Sequence, residues 1–318
     1  MTLNLELYKK LYLARRAEEK IREHYLEDEM KTPMHMSMGE EAIAAGVCQA
    51  LQPNDQVFAT YRSHAIYLSK TGKVEDFFAE MYGKDTALLK GKGGSMHMCA
   101  PECGFMGTSA IVASVIPVAV GAAFANKQQG NGKMVVVFFG DGACDEGTFW
   151  ESLNVACLMK LPVLFVCEDN GFAVHTAIDK RQGYASITDI VAKFNCNVFK
   201  DTTTDAGIIY GLARKAIVSI KETGMPSFMH LKYYRYLEHV GVNEDFDAGY
   251  RSREEFDEWF KNDPVSLQRR KLLRQGINEE ELLRIEKEID SRIENSLRMA
   301  KEAPFADNGE VCNGVFAE

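Results

Sequence analysis

The chain has no pair of cysteines at CxxC spacing. Its eight cysteines, Cys48, Cys99, Cys103, Cys144, Cys157, Cys167, Cys196 and Cys312, stand singly. Cys99 and Cys103 flank a Pro-Glu, but two thiols without a second pair do not make a zinc site. A chain of 318 residues can bury a full core and needs no disulfide scaffold. Reduced thiols and a cytoplasmic location are therefore expected. Positive charge is also scarce: Lys and Arg total 37 against 46 Asp and Glu, a net charge of −9. That argues against a protein that coats nucleic acid, though not against a local basic pocket. The first twenty residues are charged throughout and lack the apolar core of a signal peptide. Cys103–Asn126 carries no charge, but Gly104, Gly107, Pro117 and Gly121 interrupt it. A Gly-rich loop feeding a buried helix is expected there, and no membrane span.

What remains is an ordinary globular composition, 46% hydrophobic and 26% charged. Leu7, Leu11, Ala14, Ala17, Ile21 and Tyr25 recur at helical spacing over residues 3–27. Further helices are expected at 39–51, 74–82 and 116–126, with Pro117 tolerated in a first turn. A short strand is expected at 56–59. Residues 91–98, GKGGSMHM, read as a loop. Met134–Phe139 and Leu161–Cys167 are continuous apolar runs, expected for strands buried on both faces, with a helix over 148–159 between them. That spacing predicts a right-handed parallel crossover. A further strand is expected at 229–233. Beyond Tyr250 the chain turns charged, with Leu282, Ile285, Ile289, Ile293 and Leu297 on one helical stripe. The fold class is α/β: a doubly wound, mostly parallel sheet with an N-terminal helical extension (1–30), a binding domain (31–249) and a C-terminal helical extension (250–318).

In open α/β sheets, ligands bind beyond the C-terminal strand ends. Gly140-Asp141-Gly142-Ala143 follows the first strong strand and Glu168-Asp169-Asn170-Gly171-Phe172 the second. One carboxylate with neutral oxygens suits Mg²⁺, which takes few protein ligands. The span 140–170, GDGACDEGTFWESLNVACLMKLPVLFVCEDN, resembles the thiamine-diphosphate motif that runs from GDG to a paired Asn. His35 with MSMGEEA resembles a His preceding GQEA, and Tyr61-Arg62-Ser63-His64 resembles YRxH. GKGGSMHM is similar to the loop of pyruvate and acetoin enzymes, and Ile111-Val112-Ala113 to an IVG segment. Tyr234-Arg235-Tyr236, His239 and Tyr250-Arg251-Ser252-Arg253 resemble a late catalytic loop. Over residues 5–300 the chain thus resembles alpha subunits of the first component of 2-oxo-acid dehydrogenase complexes.

That resemblance implies a site. Asp141, Asn170 and the Phe172 carbonyl would hold Mg²⁺. Tyr61, Arg62, Gly140, Gly142 and Ala143 would hold the diphosphate of thiamine diphosphate. Ala110 and Val112 would present backbone groups to the aminopyrimidine, and Ile111 would wedge beneath it. His35, His64 and His239 would surround the reacting carbon. His24, His97, His175 and His230 read as surface, loop or strand residues. The resemblance also implies a 2-oxo acid as the small-molecule substrate, a separate beta subunit in an α2β2 assembly and a lipoyl-bearing acyltransferase. It implies no nucleic-acid or membrane partner.

Two departures stand out. Asp169 occupies a position where the family usually has Asn. The late loop, LEHVGVNED, replaces HGHS, so Val240 has no hydroxyl for a kinase. The loop wording is also similar to bacterial relatives of sugar and polysaccharide pathways. A carboligase there, or an acetoin dehydrogenase, is the alternative to a pyruvate-like dehydrogenase.

Overall fold

The two continuous apolar runs become the centre of a six-stranded sheet. A computed structural model describes residues 3–314; residues 1–2 and 315–318, the outer ends of the expected extensions, lie outside the described residues. The strands are β1 (Gln56–Thr60), β2 (Phe105–Ser109), β3 (Val135–Gly140), β4 (Val163–Asp169), β5 (Phe172–Ala173), β6 (Thr176–Ala177), β7 (Asn197–Asp201) and β8 (Ser227–Lys232). The sheet order is β2-β1-β3-β4-β8-β7, parallel at every pairing, and β5-β6 is a separate antiparallel hairpin.

Alternation along the central strands builds two cores. Val136, Phe138, Leu164 and Val166 face a layer made by α1 (Leu3–His24), α2 (Glu41–Ala50), α3 (His64–Thr71) and α4 (Val74–Met81). Val135, Val137, Phe139, Val163 and Phe165 face the opposite layer, α5 (Val115–Gln129), α6 (Gly147–Leu158) and α7 (Ile187–Val191). Successive side chains of a strand point to opposite faces, so an unbroken apolar run is what a sheet covered on both sides requires. The first layer also takes α8 (Ala206–Thr223) and part of α9 (Arg253–Phe260). The amphipathic N-terminal helix packs with α10 (Pro264–Arg274) and α11 (Glu279–Glu302) through Leu5, Tyr8, Leu272, Leu282 and Ile285. Asp263 and Asn278 cap these last two helices, accepting the Ser266 and Glu281 N–H groups.

Some elements differ from expectation. The uncharged stretch 103–126 holds a strand, β2, as well as a helix. That helix, α5, is buried on one side only, with Val118 and Phe124 exposed on the other. Helices α3 and α8 and the edge strand β7 were not anticipated. No helix among the described residues is long and apolar enough to cross a membrane.

The topology fixes where a ligand can sit. From β1 the chain first adds β2 on one side and then β3 on the other, so the order reverses between β1 and β3. Loops leaving the C-terminal ends of these two neighbours diverge and open a crevice.

Candidate active site

The crevice is a cleft of about 240 Å³ bounded by the ends of β1, β3 and β4. Thr60 ends β1 and Tyr61 and Arg62 follow it, Gly140 ends β3 and Asp141–Ala143 form the turn after it, and Glu168 lies in β4 with Asn170 just beyond its end. Val112, Phe172, Tyr233 and His239 complete much of the wall. A Cβ on Gly142 would stand 3.1 Å from that of Ala173, so glycine keeps the turn close to the hairpin.

One half of the cleft gathers Asp141 and Asn170. Asp141 is 2% exposed. One carboxylate oxygen pairs with the Arg181 guanidinium, and Oδ1 is buried with no partner. Burial, then the nearby Asp169 charge, pushes its pKa up to about 7 against the pull of Arg181. The Asn170 amide nitrogen donates to the Tyr233 hydroxyl at 3.0 Å, which orients its Oδ1. That oxygen accepts the Phe172 N–H at 3.0 Å and keeps a second lone pair. An unpartnered buried carboxylate oxygen and an oriented amide oxygen, on two residues lining one cleft, form a donor set that fits Mg²⁺. Among the described residues no three His, Cys, Asp or Glu side chains converge as a metal cage. The remaining ligands of such an ion would thus be phosphate and water.

The other half is built around His239. Two chain segments zip together to place it: Tyr236 N–H donates to the Met38 carbonyl (3.0 Å) and Gly241 N–H to the Met34 carbonyl (2.8 Å). Gly39 sits in this zip at φ +104°, where a side chain would collide with the Tyr234 carbonyl. The rings of His35 and His239 meet edge to face at 5.4 Å, and His35 also packs on Tyr61 at 4.4 Å. Arg62 donates to the Met36 carbonyl (2.7 Å), the His239 carbonyl (2.9 Å) and His239 Nδ1 (3.3 Å). Arg235 faces the same Nδ1 at 3.4 Å. Burial, with the Arg62 charge next, pushes both His35 and His239 down to about 3. Both imidazoles are therefore neutral near pH 7.

The floor carries acids that motif reading did not assign. Glu40 and Glu168 are buried, and each keeps one oxygen without a partner. Burial pushes Glu40 up to about 8. It likewise raises Glu168, where the Glu40 charge adds to the effect. Glu40 stands at the Gln position of the GQEA motif, the one signal that could have flagged it. At the rim, the Tyr250 ring packs on His175 and Phe172, with centroids at 4.5 and 5.1 Å. From sequence alone His175 reads as a surface or loop residue.

Three of the expected site groups lie outside the cleft or only partly serve it in this structure. His64 does not line the cleft. It opens α3 pointing into the core, with Nδ1 2.8 Å from Glu18 and Nε2 2.7 Å from Ser95. It ties the GKGGSMHM loop to α1, which corrects the catalytic placement. Ala110 and Ile111 are not among the cleft-lining residues either, and Ile111 is 71% exposed. Arg62 spends three hydrogen bonds on holding His239 and the Met36 loop, so only part of its fork remains for phosphate. The role of Asp169 is also legible: it accepts from His230 Nε2 (2.8 Å) and the Gly171 N–H (2.8 Å), locking the turn after β4.

Comparison with known proteins gives a consistent match. The family described as dehydrogenase E1 component matches residues 9–308. The pyruvate dehydrogenase E1 component subunit alpha of Zymomonas mobilis is 32% identical over 98% of this chain and 88% of its own. The alpha subunits of the acetoin:2,6-dichlorophenolindophenol oxidoreductases of Bacillus subtilis and Cupriavidus necator are 31% and 33% identical. Each match spans 98% of this chain and 93% of the relative.

Proposed function

Since the chain belongs to the dehydrogenase E1 component family, we propose that it is the alpha subunit of a thiamine-diphosphate-dependent 2-oxo-acid dehydrogenase that works with a separate beta subunit. The observation that carries this reading is the joint placement of Asp141 and Asn170 at neighbouring strand ends, across one cleft from Arg62 and His239.

In this reading Asp141, Asn170 and the Phe172 carbonyl hold Mg²⁺. The Gly142 and Ala143 N–H groups, with Gly140, Tyr61 and the free part of the Arg62 fork, hold the diphosphate. Ala110 and Val112 meet the aminopyrimidine, and exposed Ile111 gains its packing partner there. When bound, thiamine diphosphate supplies the nucleophilic carbon and electron sink that decarboxylation of a 2-oxo acid needs. The chain's own work is orientation and proton control. Two arginine donors aimed at Nδ1 leave His239 its proton on Nε2. A neutral imidazole so fixed donates a hydrogen bond to developing negative charge rather than accepting a proton at Nδ1. His35 supports that ring, and Arg62 positions it.

An α2β2 assembly, a lipoyl-bearing acyltransferase as acceptor and a cytoplasmic setting belong to the same proposal. The named relatives include acetoin enzymes at comparable identity, which supports acetoin as a second substrate to be tested beside pyruvate. These relatives are all named as dehydrogenase or oxidoreductase subunits, which favours oxidative transfer over carboligation. The test is product formation by the chain assembled with its beta subunit, with and without a lipoyl carrier. Lipoyl-dependent oxidation supports the proposal; carbon–carbon bond formation independent of lipoyl contradicts it.

A further inference from the structure

Glu40 and Glu41 are sequence neighbours in opposite settings. Glu41 turns inward, pairing with Arg15 at 2.6 Å and accepting the Gly39 N–H at 2.9 Å. Glu40 lines the cleft instead. Its backbone opens α2, but its side chain caps no helical N–H. The residue is 1% exposed, and its Oε1 is buried with no partner. It stands where the GQEA motif has an amide.

The groups around Glu40 set its form. Burial favours the neutral acid, and the Glu18 charge on α1 adds to that. The Arg62 charge and the side chains of Ser37 and Tyr233 pull the other way. Arg62, however, spends its donors on the Met36 carbonyl and on His239. Glu168 on β4 is a second buried acid lining the same cleft, and its ionisation is opposed by the Glu40 charge. An ionised Glu40 would leave a bare carboxylate oxygen in a cleft that has to receive an anion. A neutral carboxyl carries an O–H donor that the ionised form lacks.

We propose that Glu40 serves the cleft as a neutral carboxylic acid and donates its O–H to a phosphate oxygen of the bound diphosphate, in the place that the GQEA motif gives to an amide. The inference rests on the proposed thiamine-diphosphate site. It adds Glu40 to the groups that bind the cofactor and makes that binding depend on one proton. The donor is present while the acid is neutral and is lost as pH rises through its ionisation, where the same side chain turns repulsive to phosphate.

The experiment titrates thiamine diphosphate, with Mg²⁺ present, into the chain assembled with its beta subunit, and follows the affinity by calorimetry from about pH 7 to 9. The wild type should hold its affinity up to about pH 8 and then lose it by about tenfold per pH unit. Glu40→Gln keeps an N–H donor without a titrating proton, so it should match the wild type at pH 7 and stay flat to pH 9. Groups common to both proteins, Asp141 included, cancel in this comparison. Glu40→Ala should bind about tenfold more weakly at pH 7, the scale of one hydrogen bond to a charged group. If Glu40→Ala does not fold, Glu40→Gln decides. An infrared difference spectrum at pH 7, wild type minus Glu40→Gln, should show the C=O stretch of a protonated carboxyl, and cofactor binding should shift it. Parallel pH profiles, weaker binding by Glu40→Gln at pH 7, unchanged binding by Glu40→Ala, or a carboxylate band in place of the acid overturns the role of Glu40 alone. No saturable binding in the wild type overturns the thiamine-diphosphate site with it.

Discussion

Arg62 and His239 meet twice: the guanidinium donates to the histidine's carbonyl at 2.9 Å and to its Nδ1 at 3.3 Å. A residue just beyond β1 thus sets both the position and the tautomer of a residue from the late loop. Because Arg235 faces the same nitrogen, the proton belongs on Nε2. Nitrogen-15 NMR of histidine-labelled protein should show His239 as the neutral Nε2–H form throughout pH 5–8. An imidazolium signal, or the Nδ1–H form, contradicts the role assigned to it.

Loss of that donor should affect turnover more than binding. His239→Ala is expected to lower kcat by about 10²- to 10⁴-fold while cofactor affinity stays near wild type. Arg62→Lys, which keeps charge but loses the fork, should cost about 10²-fold by misplacing the ring. Steady-state decarboxylation beside a cofactor titration separates the two effects. A selective loss of cofactor affinity in His239→Ala would argue against the assignment.

The buried histidines should lose their stabilisation on the acid side. Burial holds His64 at about 3, with Arg62 adding to the effect, and His35 and His239 lie equally low. For a depressed histidine, the stabilisation is present above the ordinary value of 6.5 and is lost as pH falls toward 3. Burial raises Glu18 to about 8, and its contribution runs the opposite way: full below 4.5 and lost as pH rises through 8. The raised carboxyls of Glu18, Glu40, Asp141 and Glu168 thus oppose the histidines between pH 6.5 and 4.5, and the histidine part is read as a difference: the gap in urea midpoint between wild type and His64→Gln should shrink as pH falls from 6.5 to 4. A gap independent of pH in this window contradicts a buried neutral His64.

Much of this site was legible because its chemistry is local. The GDG turn, the Asn after the next strand and the two apolar runs each sit within a few residues, and the parallel crossover joins them. What stayed hidden depends on distant packing. His64 follows Arg62 closely, but α3 begins at His64 and turns its ring toward Glu18. Arg181 carries no motif, because its role comes from a hairpin folding back over the GDG turn. The edge strand β7 is only half-buried, so it lacks the apolar run that announced β3 and β4. The missed α8 did carry a signal: the Asp205 cap, the Ile209, Ala213, Ala216, Ile217 and Ile220 stripe, and the Gly224 stop.

Asp169 gives a further check of the turn after β4. Although burial opposes it, the hydrogen bond and charge of His230 hold its carboxyl below the usual range. Asp169→Asn should lower stability by about 1 kcal/mol, because His230 loses a charged acceptor. Urea unfolding at pH 7 measures this, and an unchanged midpoint would show that the pair contributes nothing to the fold.

In the proposed function, this chain supplies the metal and diphosphate half of a shared active site. The most direct measurement is thiamine-diphosphate- and Mg²⁺-dependent decarboxylation of a 2-oxo acid by three preparations: the chain alone, the chain with its beta subunit, and Asp141→Asn with the same beta subunit. Turnover is predicted only in the second. Robust decarboxylation by the isolated chain, or full activity in Asp141→Asn, would contradict the account.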